Sequence, residues 1–334
     1  MAKLNVGFIG CGGIAQRHME AIAKISNARM VGFCDIDLEK AQAAADHYGG
    51  KAFQVPADML DSLTLDAVWI CLPPFAHGEA ERACIAAGVP FMVEKPINRS
   101  AQQARRIADA VAQKGLLTAV AYLNRYRKGV RKAREIFQED APVLAMGGWI
   151  SGTPNPDPAR PISVWWVQKE KSGGQFVEQV THTADLLRFI AGEAMQVSAF
   201  AATGFNANIP GYNIEDAIGV SVKLARGGVA LLYSCCASNA KGGIMLNIHG
   251  LEHTAEFSGW NHDAVIYTAG RKKPQQIPGE PNPFELEDRA FLRAVAKEDP
   301  SYILCDYADG LKTLELTLAV DRALSTARIV KLGM

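Results

Sequence analysis

The sequence has no long apolar run, no excess of charge of either sign and no pair of cysteines with metal-ligand spacing. Its 35 basic and 35 acidic residues give a net charge of zero, which removes the electrostatic signal of a nucleic-acid-binding protein. No apolar segment approaches the roughly 20 residues that a membrane-spanning helix requires. Nucleic acid and membrane are therefore excluded as expected partners, and a small molecule is favoured.

The seven cysteines include no C-x-x-C pair, and most lie in apolar strand or helix sequence, where cysteine serves as a small hydrophobe. We expect neither a disulfide framework nor a metal site. The first strand is predicted only a few residues after Met1, which leaves no room for a secretory signal, so the expected location is the cytoplasm.

The chain does contain an apolar strand that runs into a Gly-x-Gly-x-x-Ala turn and then into helical sequence. Gly10 permits the tight bend, Gly12 lets the backbone approach a pyrophosphate, and Ala15 keeps the helix close to the strand. The backbone N–H groups of such a helix start bind phosphate. We therefore predict that Gly10, Gly12, Gly13, Ile14 and Ala15 bind a dinucleotide.

A second strand ends at Asp35, twenty residues after Ala15, where a carboxylate is expected to bind the adenosine ribose. The carboxylate would repel a 2′-phosphate, and Asp37 adds a second acidic residue. The predicted cofactor is NAD, with NADP disfavoured.

Up to about residue 122 the chain alternates short apolar strands with amphipathic helices, a pattern typical of a parallel, doubly wound sheet. The strands are predicted at 4–9, 29–34, 66–72, 90–94 and 117–122, and the helices at 13–25, 38–48, 76–87 and 100–114. Pro73 and Pro74 follow Leu72 and end a strand where a cofactor crevice should open. Residues 1–122 are thus predicted to form the NAD-binding domain.

Residues 123–334 show a different pattern, which predicts an α+β domain with an antiparallel or mixed sheet. A long irregular stretch is predicted after the strand at 143–150. Helices are predicted at 128–139, 176–191, 284–297 and 306–325, and strands at 143–150, 195–205, 216–225, 228–238, 243–249, 253–258 and 328–332.

Within the predicted helix 176–191, the spacings i, i+4 and i+7 place Glu178, His182 and Asp185 on one stripe. A polar stripe is often only a solvated face, but two glycines precede this helix and a dinucleotide domain precedes the whole segment. A histidine that moves protons near neutral pH is what alcohol oxidation beside NAD requires.

Lys95, between Glu94 and Pro96 at a predicted strand end, is the second candidate catalytic residue, because an ammonium there can stabilise a substrate oxygen. Trp165 and Trp166 are interpreted either as a stacking surface for a sugar or as core packing. Arg125 either anchors the substrate or forms an interdomain salt bridge. The pair His249 and His253 lies in strand and turn sequence and is rejected as a zinc site.

Together these motifs resemble the Gfo/Idh/MocA family of NAD(P)-dependent sugar and cyclitol oxidoreductases over essentially the whole chain. The family's Gly-x-Gly-x-x-Gly/Ala corresponds to the turn at Gly10, its proline-rich strand end and downstream histidine to Pro73, Pro74 and His77, and its Glu-Lys-Pro signature to Glu94, Lys95 and Pro96. Its substrate motif, Gly-Gly followed by Asp-x-Gly-x-His-x-x-Asp, falls on residues 173–185. Glu178 and Val180 depart from it, standing where Asp and Gly are usual.

The resemblance implies an N-terminal Rossmann domain and a substrate domain with a large open, mainly antiparallel sheet that mediates homodimer or homotetramer formation. It implies a cis peptide before Pro96, catalysis by Lys95, His182 and Glu178, and cofactor contacts that extend to Leu72, Pro73, His77, Glu94 and Lys95. Substrate contacts are expected from Lys95, Tyr122, Arg125, Trp165, Glu178, His182 and Asp185.

The expected reaction is hydride transfer between a secondary hydroxyl of a sugar or cyclitol and NAD. A glycosidase of the same family, acting by transient oxidation and elimination, and a catalytically silent NAD- or sugar-binding regulator are the alternatives. The sequence does not distinguish Lys95 from His182 as the main base.

Overall fold

The computed structural model describes residues 3–333, which form two compact units. The first combines the described residues of Met1–Leu123 with Asn282–Leu311, and the second combines Asn124–Pro281 with the described residues of Lys312–Met334. Asn282–Leu311 thus packs with the first unit, whereas the sequence pattern placed it in a continuous segment 123–334. The outermost residues of the expected domains, 1, 2 and 334, lie outside the described residues.

A six-stranded parallel sheet, in the order β3-β2-β1-β4-β5-β6, forms the centre of the first unit. The strands are β1 (Leu4–Ile9), β2 (Ala28–Cys34), β3 (Lys51–Phe53), β4 (Ala67–Ile70), β5 (Phe91–Val93) and β6 (Thr118–Val120). The helices are α1 (Gly13–Ile22), α2 (Leu38–Tyr48), α3 (Pro56–Ser62), α4 (Glu79–Ala87) and α5 (Ala101–Lys114), with 3₁₀ turns at Pro74–Ala76 and Leu123–Tyr126.

The core of this unit follows from its strands, which are apolar on both faces because helices cover both sides of a parallel sheet. Phe8 and Trp69 are fully buried and stack with ring centroids 5.8 Å apart. The predicted doubly wound sheet is confirmed. Two elements escaped prediction, β3 and α3, because a three-residue strand and a seven-residue helix are too short to show periodicity.

The order of the strands reverses between β1 and β4. From β1 the chain continues outward through β2 and β3 on one side, and from β4 it continues through β5 and β6 on the other side. In open parallel sheets a crevice forms beyond the carboxyl ends of the strands at such a switch point. The residues that follow β1, β2, β4 and β5 are therefore the ones that the fold places around a ligand site in this unit.

The second unit contains a nine-stranded sheet in the order β14-β13-β12-β11-β7-β10-β9-β8-β15, parallel only between β7 and β10. Its strands are β7 (Leu144–Ile150), β8 (Ala194–Ala202), β9 (Ala217–Leu224), β10 (Val229–Cys235), β11 (Gly243–His249), β12 (His253–Ser258), β13 (Asp263–Thr268), β14 (Gln275–Ile277) and β15 (Val330–Lys331). The predicted mainly antiparallel sheet is confirmed, although β13 and β14 were missed.

The helices of the second unit are α6 (Lys128–Glu139), α7 (Pro161–Trp166), α8 (Lys169–Ser172), α9 (Gly174–Glu178) and α10 (Thr181–Ala191). Two further helices follow in the chain, α11 (Pro283–Lys297) in the first unit and α12 (Tyr307–Thr326) across the division between the units, with a 3₁₀ turn at Pro300–Tyr302 between them. The stretch expected to be irregular thus contains the short helices α7 and α8. No helix within residues 3–333 has the length and apolarity to cross a bilayer.

Buried and exposed side chains alternate along the strands of the large sheet, which therefore has one buried and one exposed face. On β9, Ile218, Val220 and Val222 are buried, while the intervening residues are exposed. The exposed face, here called the outer face, carries several apolar side chains. They are Phe200, Val229, Leu231, Met245 and Tyr267, of which 85, 50, 47, 46 and 42% of the surface is exposed.

Candidate functional site

The turn after β1 requires glycine at its first position. Gly10 has φ of +91°, and a Cβ atom there would overlap the carbonyl oxygen of Cys71 beyond β4. The Gly10 N–H donates a hydrogen bond of 2.7 Å to the carbonyl of Cys34 at the end of β2. The turn is thus anchored to both neighbouring strands at the switch point.

The backbone at the next two glycines, Gly12 and Gly13, borders open space. Cβ atoms at Gly12 and Gly13 would have no heavy atom within 4 Å, and α1 begins here without a side-chain cap from the described residues. Ala15 is fully buried, whereas Ile14 is 37% exposed. An uncapped helix N-terminus beside open glycine backbone matches what a dinucleotide phosphate needs.

Asp35 lies against this turn from the end of β2. One carboxylate oxygen, Oδ2, accepts from the Cys11 backbone N–H at 2.8 Å, and Oδ1 accepts from the Asp37 N–H at 2.9 Å. Each oxygen of an ionised carboxylate has a second acceptor position. The half-buried Asp35 therefore has a fixed orientation and retains capacity for ribose hydroxyl groups. The turn and Asp35 together fit NAD.

Beyond β4, Leu72 and Pro73 are half-buried and lead through a 3₁₀ turn to His77. The Nδ1 atom of His77 lies 2.7 Å from Glu81 Oε1, while its buried Nε2 has no hydrogen-bond partner among the described residues. Burial raises the pKa of Glu81, but His77 and the Gly78 N–H outweigh it and leave the pKa below its usual range. The orphaned Nε2 is a polar atom suited to a cofactor.

The residues after β5 adopt the expected cis peptide between Lys95 and Pro96. Lys95 is half-buried. The Glu94 carboxylate is only 4% exposed and is engaged on both oxygens, by the Lys95 backbone N–H at 2.9 Å and by His18 at 3.2 Å. The predicted cofactor contact of Glu94 is therefore not favoured by its surroundings, which give it a supporting position behind Lys95.

In the second unit, the predicted continuous helix 176–191 is wrong. The helix is interrupted after Glu178, at the end of α9, and resumes as α10 at Thr181. The His182 N–H donates to Gln179 O at 3.2 Å, three residues back, which tightens the junction. Glu178 and His182 are 9 and 7% exposed and lie on either side of the junction rather than on one helical stripe.

Glu178 has a partner that the sequence did not reveal. The Trp166 indole Nε1–H donates to Glu178 Oε2 at 2.9 Å, in a buried contact between α7 and α9. Trp166 also packs in a small apolar cluster with Val167, Ile214 and Cys236. Its neighbour Trp165, the predicted substrate contact, is half-buried at the edge of the cluster.

Arg125 and Asp185 bind each other. The guanidinium donates to both carboxylate oxygens at 2.8 and 2.6 Å, Thr313 donates to the same carboxylate at 3.0 Å, and both charged side chains are about 2% exposed or less. Both residues belong to the second unit, so the expected interdomain salt bridge is instead internal to that unit. A buried bidentate pair is a structural feature, and it disfavours the predicted substrate contacts.

The remaining predicted contact, Tyr122, follows β6 in the first unit and is 2% exposed. Within residues 3–333 no cluster of three or more His, Cys, Asp or Glu side chains has the arrangement of a metal site. His253 instead pairs with Asp140, at 3.1 Å.

Comparison with known proteins places these features in a family. Residues 4–122 match the oxidoreductase family with an NAD-binding Rossmann fold, and residues 147–256 match the GFO/IDH/MocA C-terminal domain. The inositol 2-dehydrogenase of Rubrobacter xylanophilus is 25% identical over 281 residues, which span 83% of this chain and 72% of that protein. The levoglucosan dehydrogenase of Pseudarthrobacter phenanthrenivorans is 29% identical over 61% of this chain and 55% of its own length.

Solved structures share the fold. A levoglucosan dehydrogenase in complex with NADH superposes with a TM-score of 0.88 at 20% identity, over 99% of this chain and 100% of that one. The same enzyme with NADH and L-sorbose superposes with a TM-score of 0.88 at 21% identity, over the full length of both chains.

Proposed function

Because this chain belongs to the GFO/IDH/MocA family and is an NAD(P)-dependent dehydrogenase of CH–OH groups, we propose that it oxidises a secondary hydroxyl of a sugar, sugar derivative or cyclitol. The observation that carries the proposal is the open backbone at Gly12 and Gly13, with Asp35 held against the same turn. The relatives named inositol 2-dehydrogenase and levoglucosan dehydrogenase support this substrate class.

The residues of the first unit have defined tasks in binding. The N–H groups at the start of α1 would hold the phosphates of NAD, Asp35 the ribose hydroxyl groups, and His77 Nε2 a polar group of the cofactor. When bound, NAD supplies a hydride acceptor. Lys95 would place a positive charge beside the hydroxyl oxygen and stabilise the alkoxide that develops there.

The residues of the second unit would handle the proton and the substrate. His182 would take the hydroxyl proton, and Lys95 is the other candidate for this base. Glu178, whose Oε2 accepts from the Trp166 indole, would accept a hydrogen bond from a neighbouring substrate hydroxyl.

The outer face supports a proposal about assembly. Most soluble monomers do not expose large contiguous apolar patches, and this face presents exposed apolar side chains on strands β8, β10, β11 and β13. We propose that two copies pair through this face into a homodimer, or into a homotetramer built from such dimers.

The test is turnover of a panel of myo-inositol, levoglucosan and methyl D-glucosides, followed by NADH absorbance. We expect Lys95→Ala and His182→Ala each to lower kcat by roughly 10² to 10⁴, since each removes a group that acts on the reacting hydroxyl. NAD affinity, measured by quenching of tryptophan fluorescence, should stay within a few-fold.

The exposed residues Lys114 and His47 provide matched controls, so Lys114→Ala and His47→Ala should leave kcat unchanged. A kcat near that of the wild type in Lys95→Ala or His182→Ala would remove that residue from the mechanism. NAD binding without turnover of any panel member would contradict the proposed substrate class.

A further inference from the structure

A chain of buried charged groups runs through the first unit and ends at Lys95. The fully buried imidazole of His18, on α1, lies between two carboxylates. Its Nδ1 is 2.8 Å from Asp288 Oδ1 on α11, and its Nε2 is 3.2 Å from Glu94 Oε1 after β5. The Trp69 indole N–H donates to the same Asp288 oxygen at 2.9 Å.

The second carboxylate oxygen of Glu94 extends this series of hydrogen bonds. Glu94 Oε2 accepts the backbone N–H of Lys95 at 2.9 Å, so one carboxylate joins His18 to the backbone of Lys95. His18 is also held by edge-to-face contact with Phe284, with ring centroids 5.2 Å apart. Every member belongs to the first unit.

The hydrogen bonds and charges of these buried groups hold the Glu94 carboxylate more firmly than packing alone would. Both ring nitrogens of His18 face carboxylate oxygens, so both serve as donors and the ring carries a positive charge. A buried ion pair is costly to rearrange, because moving one partner leaves a buried charge uncompensated. The Glu94 carboxylate therefore has little freedom to rotate away from Lys95.

We propose that Glu94, held by His18 and Asp288, is a positioning residue that fixes the backbone of Lys95 and thereby aims its ammonium at the reacting hydroxyl. The inference rests on the proposed function of Lys95. Glu94 does not touch the substrate or cofactor in this assignment, in agreement with its 4% exposure and the engagement of both its oxygens.

The decisive variant is Glu94→Gln, which keeps the shape of the side chain and removes its charge. Misplacing a catalytic group by about 1 Å costs up to about 10² in rate, so we expect kcat to fall tenfold to a hundredfold. KM for the best panel substrate and the Kd for NAD should change less than threefold. The matched control is Glu287→Gln, since Glu287 is equally buried and neither of its oxygens has a hydrogen-bond partner among the described residues.

A double-mutant cycle with Lys95→Ala separates positioning from general support of the fold. If Glu94 acts through Lys95, Glu94→Gln should have no further effect on the residual kcat of Lys95→Ala. An equal fold-loss in both backgrounds, or an unchanged kcat in Glu94→Gln alone, overturns the inference. Should Glu94→Gln not fold, Glu94→Asp tests the same point, because it keeps the charge but is too short to span His18 and Lys95.

The catalytic role of Lys95 and the positioning role of Glu94 are refuted by different results. A kcat near that of the wild type in Lys95→Ala refutes the proposed function of Lys95. A slow Lys95→Ala together with a fully active Glu94→Gln refutes only the positioning role of Glu94.

Discussion

At the residue scale, the interaction between Trp166 and Glu178 explains how this chain uses a glutamate where its family usually has an aspartate. The longer side chain reaches the indole N–H on α7, and the hydrogen bond of 2.9 Å holds one carboxylate oxygen in a buried environment. The carboxylate is thus oriented before substrate arrives. If Glu178 binds substrate as proposed, specificity at this position would depend on two residues rather than one.

We predict that Trp166→Phe and Glu178→Asp each lower kcat/KM tenfold to a hundredfold. Each leaves a buried polar group without its partner, at a cost of roughly 1–3 kcal/mol. The loss should be smaller for a deoxy analogue of the best panel substrate that lacks the neighbouring hydroxyl. Trp260→Phe is the control, because Trp260 is 53% exposed and has no proposed contact with substrate. Equal losses for substrate and analogue would show that the pair only supports α9 and α10.

Asp35 sets a second residue-scale prediction. NAD should bind at least tenfold more tightly than NADP, a difference of about 1.4 kcal/mol or more, because the carboxylate repels a 2′-phosphate. Asp35→Asn keeps an acceptor for the Cys11 N–H and should reduce the ratio of affinities, measured by fluorescence titration. Asp37→Asn, which alters the exposed cap of α2, should preserve it. An unchanged ratio in Asp35→Asn would contradict the assignment.

At the element scale, α1 and α11 are joined by buried ionisable groups. Burial opposes the charge on His18, but Asp288 and Glu94 outweigh it, so the pKa of His18 lies well above its usual range. Burial raises the pKa of Glu287 well above its usual range, and His18 only partly opposes this. Burial also leaves the pKa of Asp288 above its usual value, although His18 and Trp69 lower it.

All three pKa values are raised, and this predicts how the free energy of unfolding depends on pH. The native state retains protons on His18 and Glu287 that the unfolded chain releases, so the free energy of unfolding should fall as pH rises. Between about pH 6.5 and 8.5 each retained proton should contribute up to about 1.4 kcal/mol per pH unit to this slope, measured by urea denaturation.

The variant His18→Gln should flatten this slope, because it removes the group that begins to differ between the two states near pH 6.5. His262→Gln is the matched control. Burial lowers the pKa of His262 to about 4, so its contribution is lost as pH falls and lies below this window. A slope that is identical in the wild type and His18→Gln would contradict the assignment of charge to His18.

At the scale of the whole molecule, the outer face is the surface to test for assembly. Leu231 lies on β10 near the middle of the sheet, with β7 and β9 on either side. Leu231→Glu would bury a charge in the proposed interface. We expect it to yield monomers in analytical ultracentrifugation at micromolar concentration, and we expect the wild type to be dimeric or tetrameric under the same conditions.

Leu251→Glu serves as the control, because Leu251 is 81% exposed in the turn between β11 and β12 rather than on a strand of the outer face. It should leave the assembly intact. A monomeric wild type, or an unaltered assembly in Leu231→Glu, would refute pairing through this face.

The sequence by itself determined the architecture and one half of the site. Alternating apolar strands and amphipathic helices carry their own periodicity, and the turn at Gly10 combines a positive φ with open backbone that only glycine supplies. Asp35 follows from the spacing to that turn. These are local features, since each depends on neighbours along the chain, and for that reason they were predictable.

The tertiary structure decided what joins distant segments. The break after Glu178 places it against Trp166, and Arg125 pairs with Asp185, which lies 60 positions away in the sequence. The pairing of His18 with Asp288 was not predicted, although each residue lies on the buried, apolar face of its helix. A polar residue on such a face signals a buried partner, but the partner is 270 positions away and only folding selects it.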